Sequence, residues 1–180
     1  TIVVATDIMA PMSTSAQAEI RQTRPFRSLE EEAFISLSLT AEALKEPWSR
    51  YLRKTDSISP SQYNILRILR GAGVDGRTMT EVAERMIHRD PDVTRLADRT
   101  VKRGLARRTR DEEDRRIVKL YITQSGLDML ARLDEQVDVF MKQMLGGLPP
   151  KQLTALRDLL DAARAGARPF PPEGEDQPEK

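Results

Sequence analysis

The sequence predicts a mainly α fold with one small β-hairpin, an α+β arrangement in which helices supply most of the structure. Three observations carry that expectation. Apolar residues recur every three or four positions over most of the stretch from Ser28 to Ala163, the spacing of amphipathic helices. Between Leu105 and Ile122 the period falls to two, the alternation of paired strands. Helix-start signals at Ser28-Leu29-Glu30-Glu31, Ser59-Pro60-Ser61 and Thr78-Met79-Thr80-Glu81 divide the helical stretches into separate elements.

The first helix opens at Ser28, with Glu31 placed to complete a capping box, and carries Phe34, Leu37, Ala41, Leu44, Trp48 and Tyr51 on one face. Pro47 lies within that stripe without disturbing its register, so a kink is expected there rather than a stop. A second helix runs from Ser59-Pro60-Ser61 through Arg70 with Tyr63, Leu66 and Leu69 inward, and Gly71-Ala72-Gly73 ends it. A short third helix follows Thr78 and buries Val82, Ala83 and Met86. The fourth is expected to start at Asp90-Pro91, with Asp90 as cap and Pro91 in the first turn. It runs through Lys102 with Val93, Leu96, Ala97, Thr100 and Val101 inward, and ends at Arg103-Gly104.

Three short helices joined by tight turns make a helix-turn-helix. The hairpin that follows, Leu105–Arg110 and Arg116–Ile122 joined by Asp111-Glu112-Glu113-Asp114-Arg115, is a wing. Helix resumes at Thr123-Gln124-Ser125-Gly126, with Leu130, Leu133, Val137, Phe140 and Met144 at heptad spacing. Gly146-Gly147 breaks it, and Pro149-Pro150 starts a last helix bearing Leu153, Leu156, Leu159, Leu160 and Ala163. The expected division is residues 1–27 as a flexible N-terminal extension and 28–57 with 124–166 as a helical dimerisation region. Residues 58–123 form a winged helix-turn-helix, and the Pro-rich, acidic stretch 167–180 is a disordered tail.

Composition removes whole classes of function. The 180 residues contain no Cys, one His and eight aromatic residues. Without Cys there is no disulfide scaffold, thiolate zinc site, iron–sulfur cluster or thiol switch, and a single His leaves little room for imidazole catalysis. A hydrolase would have to rest on His88 alone. No apolar run approaches the roughly 18 to 20 residues that span a bilayer. The stretch Thr1 to Ala10 has no basic segment and holds Asp7, unlike a secretory signal. The expectation is a cytoplasmic protein that is not an enzyme and uses no metal, cofactor or membrane. His88-x-Asp90-x-Asp92 reads as polar turn residues and a helix cap, since imidazole metal sites need more than one ring. The acidic run from Asp111 to Asp114 reads as a charged hairpin tip whose carboxylates do not converge on Mg²⁺.

The net charge of +1 hides an asymmetry. Residues 60–119 hold 15 Lys and Arg against 10 Asp and Glu, a local net of +5; the rest of the chain holds 14 against 18, a net of −4. A basic middle module between acidic flanks suits a polyanionic partner.

The block from Ser59 to Gly126 resembles the MarR (multiple-antibiotic-resistance regulator) family of bacterial winged-helix transcription factors. Asp111, Asp114 and Arg116 match the family's wing-tip pattern, and Thr123 and Gly126 match the helix start that follows it. Thr78, Glu81-Val82-Ala83-Glu84-Arg85, Gly104-Leu105 and Arg107-Arg108 also agree, and the resemblance in element order spans residues 28–165. One position departs: Glu113 stands where many relatives carry Arg, so a minor-groove contact is expected to pass to Arg115 or Arg110.

The resemblance implies a homodimeric regulator of repressor type, bound to a near-palindromic double-stranded DNA operator and released by a small-molecule effector; without a thiol switch that leaves a small aromatic or phenolic compound, or no ligand at all. On that reading Asp92, Thr94 and Arg95 approach base edges, while Arg89, Arg99, Lys102, Arg107 and Arg108 hold phosphates. Arg110, Asp111, Asp114, Arg115 and Arg116 form the wing, with Asp114 and Arg116 bracing it. Trp48, Tyr51 and Tyr63 either line an effector pocket or pack as core. Phe34, Leu37, Leu130, Leu133, Val137, Phe140, Met144, Leu153, Leu156 and Leu160 form the dimer interface. The alternative is a winged helix that recruits a protein partner and binds no specific DNA.

Overall fold

The computed structural model describes residues 15–87, 92–111 and 114–167. Its elements, in order, are α1 (Ala16–Glu19), α2 (Leu29–Asp56), α3 (Pro60–Ala72), a 3-10 turn (Gly73–Asp75), β1 (Arg77–Thr78), α4 (Met79–Arg85), α5 (Val93–Lys102), β2 (Ala106–Arg110), β3 (Val118–Ile122), α6 (Gln124–Leu145) and α7 (Pro150–Gly166). The chain forms two compact units that divide between Leu130 and Ala131, inside α6. Among the described residues, no helix is long and apolar enough to cross a membrane.

The helix starts follow the capping chemistry of the sequence with one exchange of partners. Ser59 and Gln62 form a reciprocal capping box at α3, and Thr78 and Glu81 form another at α4. The Thr78 amide and hydroxyl both donate to Glu81 and hold its carboxyl below the usual Glu range. At α2 the Ser28 hydroxyl accepts from the Glu31 amide at 3.2 Å as expected. The Glu31 carboxylate closes instead on Arg27, taking its backbone N–H at 2.7 Å and its guanidinium at 3.2 Å. A side chain that can reach an amide and a cation at one residue gains more than from an amide alone. The helix continues through Pro47 to Asp56.

Several expected boundaries are corrected. The short helix α1, capped by Ser15, packs against α2, so the expected flexible extension holds structure from residue 15 onward. Helix α5 is capped by Asp92 rather than Asp90, its carboxylate accepting from the Arg95 amide at 3.3 Å. Residues 88–91, among them Arg89 and the expected cap Asp90, lie outside the described residues, as do Glu112 and Glu113 and the tail 168–180. Helix α2 lies in the same compact unit as the winged helix. The sheet has a third strand that periodicity could not reveal. Two-residue β1 pairs antiparallel with β3, which makes β3 the central strand.

The core of this unit lies between the helix-turn-helix and the sheet. Ile65 and Leu69 of α3, Val82 of α4, Leu96 and Ala97 of α5, Ala106 of β2 and Leu120 of β3 are all buried in one cluster. The inward stripe of α5 is therefore the predicted one, with Thr100 also fully buried and its hydroxyl donating to the Leu96 carbonyl. In water such burial is the main stabilising term of a small domain.

Candidate nucleic-acid interface

Burying Val93, Leu96, Ala97 and Thr100 turns the other side of α5 outward. Thr94, Arg95, Asp98, Arg99 and Lys102 are all exposed there. Arg95 is the most prominent, with 82% of its side chain open to solvent and its Nε 3.4 Å from the Asp92 carboxylate. Asp92 thus caps the helix and orients Arg95.

The wing adds a second cationic surface whose two faces are set by strand register. Arg108 pairs across the sheet with buried Leu120, so it projects to the helix side, where it meets Asp98 of α5 at 2.6 Å. Arg107 pairs with Tyr121 and projects to the opposite face. Its guanidinium lies 4.5 Å from the Tyr121 ring centroid and donates to the Thr109 hydroxyl. The two neighbouring arginines assigned together to phosphates from sequence therefore face opposite sides. Arg108 ties the wing to the outward helix, and Arg107 is held on an aromatic platform with donors left for an anion.

The hairpin tip is built by the two aspartates. The Asp111 amide donates to the Ile117 carbonyl, and the Asp111 carboxylate accepts from the Asp114 amide at 3.2 Å. The same carboxylate pairs with Lys119 at 2.6 Å, which raises the Lys119 pKa above its ordinary value through the hydrogen bond to Asp111. Asp114 accepts from the Arg116 backbone amide at 2.9 Å, so it braces the turn through the main chain and leaves the Arg116 side chain at the exposed tip beside Arg115. No group of three or more potential ligands that could hold a metal ion occurs among the described residues.

The corner after α5 is compact. Gly104, at φ +72°, closes the helix: its amide bonds the Val101 carbonyl and the Leu105 amide bonds the Thr100 carbonyl, a Schellman pattern. The Thr123 hydroxyl then donates to the Gly104 carbonyl at 2.6 Å and accepts from the Gly126 amide at 3.2 Å, joining the corner to the start of α6. A Cβ on Gly126 would lie 2.3 Å from the Leu105 carbonyl oxygen, so that close approach requires glycine.

Away from this surface, Trp48, Tyr51 and Tyr63 come together as an aromatic group. Trp48 stacks on Tyr51 at 6.3 Å and meets Tyr63 edge-on at 5.4 Å, with Tyr63 buried. Of the expected interface residues, Phe34, Leu37 and Leu156 are exposed, with Phe34 at 68%. Val137, Met144, Leu153 and Leu160 are half-buried. Leu130 and Leu133, by contrast, are 0% exposed in the single chain, and Phe140 is also buried. Sequence reasoning also passed over Asp98 and Lys119, the acid and base that fix the wing's arginine and aspartate. Opposite charges on residues that pair only in three dimensions leave no local signal.

A family model described as the MarR family matches residues 56–117. The HTH-type transcriptional repressor MdtR of Bacillus subtilis is 33% identical over 93 residues, 51% of this chain and 59% of that protein. The chain spans about 55 to 60% of the length of the curated relatives it matches. Among solved structures, a MarR transcription factor from Planctomyces limnophilus is 36% identical, with a TM-score of 0.58 over 77% of this chain and 99% of that one. A MarR family regulator from Streptomyces coelicolor, solved in complex with DNA, shares the fold at 22% identity, with a TM-score of 0.70 over 82% of this chain and 94% of that one.

Proposed function

Because the chain belongs to the MarR family of transcriptional regulators, we propose that it is a homodimeric repressor that binds a near-palindromic double-stranded operator in the cytoplasm. The observation that carries this reading is the solvent-facing cationic surface of α5 tied by the Asp98–Arg108 ion pair to an arginine-bearing wing. A rigid pair of helix and hairpin suits a major groove and its neighbouring minor groove at once. The DNA-bound Streptomyces neighbour and the repressor relative support the same assignment.

In this reading Thr94 and Arg95 approach base edges and Arg95 takes a guanine, with Asp92 holding it in place. Arg99, Lys102 and Arg107 hold phosphates, Arg110, Arg115 and Arg116 serve the wing, and Arg108 positions the wing on α5. The exposed apolar residues Phe34 and Leu37 on α2, and Leu156 and Leu159 on α7, would be covered by a second copy of the chain. Two-fold symmetry then sets half-sites about one helical turn, roughly 10 base pairs, apart.

Two substitutions separate base reading from phosphate holding. Arg95→Ala is expected to lose about 1–3 kcal/mol on the preferred duplex and to relax selection at one base position. Arg99→Ala is expected to weaken all sequences alike and to reduce the salt slope by about one. Site selection from a random pool, with titrations at several salt concentrations, reads both; unchanged selection by Arg95→Ala would exclude Arg95 as a base reader.

Release is assigned to a small aromatic molecule entering at Trp48, Tyr51 and Tyr63 and favouring a dimer with mis-spaced recognition helices. Trp48 is the chain's only Trp, so its fluorescence reports this directly. Titration with phenolic compounds is expected to quench it in step with loss of DNA binding. Release without any change at Trp48 would place the effector elsewhere.

A further inference from the structure

We infer that Arg103 is a positioning residue that couples α2 to the recognition helix α5 and so sets the spacing of the two half-sites; this rests on the DNA-binding dimer proposed above. Arg103 finishes two helices at once. Its backbone is the C-cap of α5, with its amide donating to the Arg99 carbonyl. Its guanidinium reaches back across the sequence to the end of α2, donating from Nη1 to the Ser57 carbonyl at 2.7 Å and from Nη2 to the Asp56 carbonyl at 3.1 Å.

The chemistry of that contact is directional. Carbonyls at a helix C-terminus lie beyond the intrahelical ladder and carry the negative end of the helix dipole. A planar guanidinium with two parallel donors fits adjacent carbonyls in one orientation, where a Lys ammonium would make a single, freely rotating contact. Ser57 itself is held at φ +51° by the α2 cap, so the acceptors are presented by a fixed turn rather than by a loose chain end. The neighbouring Gly104 carbonyl is bonded by Thr123 at the start of α6. The corner of residues 103–105 therefore joins the recognition helix to both long helices that flank the winged helix.

On the proposed function, α2 carries both the exposed apolar residues Phe34 and Leu37 and the aromatic pair Trp48 and Tyr51. A displacement of α2 by a dimer contact or an effector has a short route to α5 through Arg103. Without the clamp each recognition helix would sample more orientations, and the dimer would tolerate half-sites at several separations.

The test uses the full chain and a duplex that the parent protein selects from a random-sequence pool, remade with its half-sites one and two base pairs closer and farther apart. The parent is expected to prefer one spacing sharply. Arg103→Ala is expected to reduce that preference at least about fivefold, the lower end of coupling between linked sites. Arg103→Lys is expected to keep the parent's salt slope yet lose spacing preference as Ala does. A simple loss of stability or of one phosphate contact would instead weaken every spacing equally. Should Arg103→Ala fail to fold, the Lys variant carries the test. The inference is overturned if either folded variant keeps the parent's spacing preference. A parent that selects no duplex would overturn the DNA reading itself, and that result is seen before any variant is made.

Discussion

Replacing Leu120 by Ala is expected to lower the unfolding free energy by about 2–5 kcal/mol, the range for truncating a fully buried leucine. Leu120 is 1% exposed and lies on the central strand β3, in the cluster with Ile65, Leu69, Val82 and Leu96. It is also the cross-strand partner of both Arg77 on β1 and Arg108 on β2. A cavity there loosens the sheet from the helices and with it the Arg108 tie to α5. Urea unfolding checks the first consequence, as a fall in midpoint with little change in slope. DNA titration checks the second, as weaker binding with sequence preference reduced but not abolished. A loss under about 1 kcal/mol would mean that the wing does not share the helical core.

Gly76→Ala is expected to cost about 2–6 kcal/mol from two separate sources. The residue sits at φ +63° and ψ −169°, a region that only glycine occupies readily, which accounts for about 1–3 kcal/mol. A Cβ there would also lie 2.6 Å from Tyr121 Cε1 and 2.8 Å from the Leu120 carbonyl oxygen, an overpacking term of about 1–3 kcal/mol. Gly73 supplies the control, since it has φ +57° but no atom within 4 Å of an added Cβ. Gly73→Ala should show the backbone cost alone. Because Tyr121 is the platform beneath Arg107, only Gly76→Ala is expected to weaken DNA binding beyond its effect on stability. Equal effects from both glycines in thermal or urea unfolding would remove the steric part of this explanation.

How much of this was legible before the structure follows from the range of each interaction. Local chemistry was readable: the helix start at Ser59-Pro60 and the capping box at Thr78 depend on residues at most three apart, and the inward stripe of α5 depends on a helical period. The wing was readable because a period of two is unlike anything around it. Strand β1 was not, since two residues cannot show a period and one of them, Thr78, already reads as a helix cap. The exchange of partners at Glu31 was hidden because Arg27 precedes the motif that drew attention to Ser28. At the candidate interface the cationic residues were visible individually, but their division into outward, helix-facing and wing-face groups depends on strand register and on Asp98, far from Arg108 only in sequence. The same holds for Arg103, whose partners lie 46 and 47 positions earlier. Heptad spacing marks the stripe at Leu130 and Leu133 but has the same period whether a stripe is covered by its own chain or by a partner.

Fluorescence anisotropy with the full chain decides whether α5 and the wing form a DNA-reading surface. A labelled duplex from the region upstream of the protein's own gene is titrated against a scrambled duplex of the same length, at two salt concentrations. Tight binding that favours the first duplex and weakens steeply with salt is the result expected of a sequence-specific repressor. Weak binding, equal on both duplexes and again on a duplex sought by site selection, would contradict it and point to a winged helix that engages a protein partner.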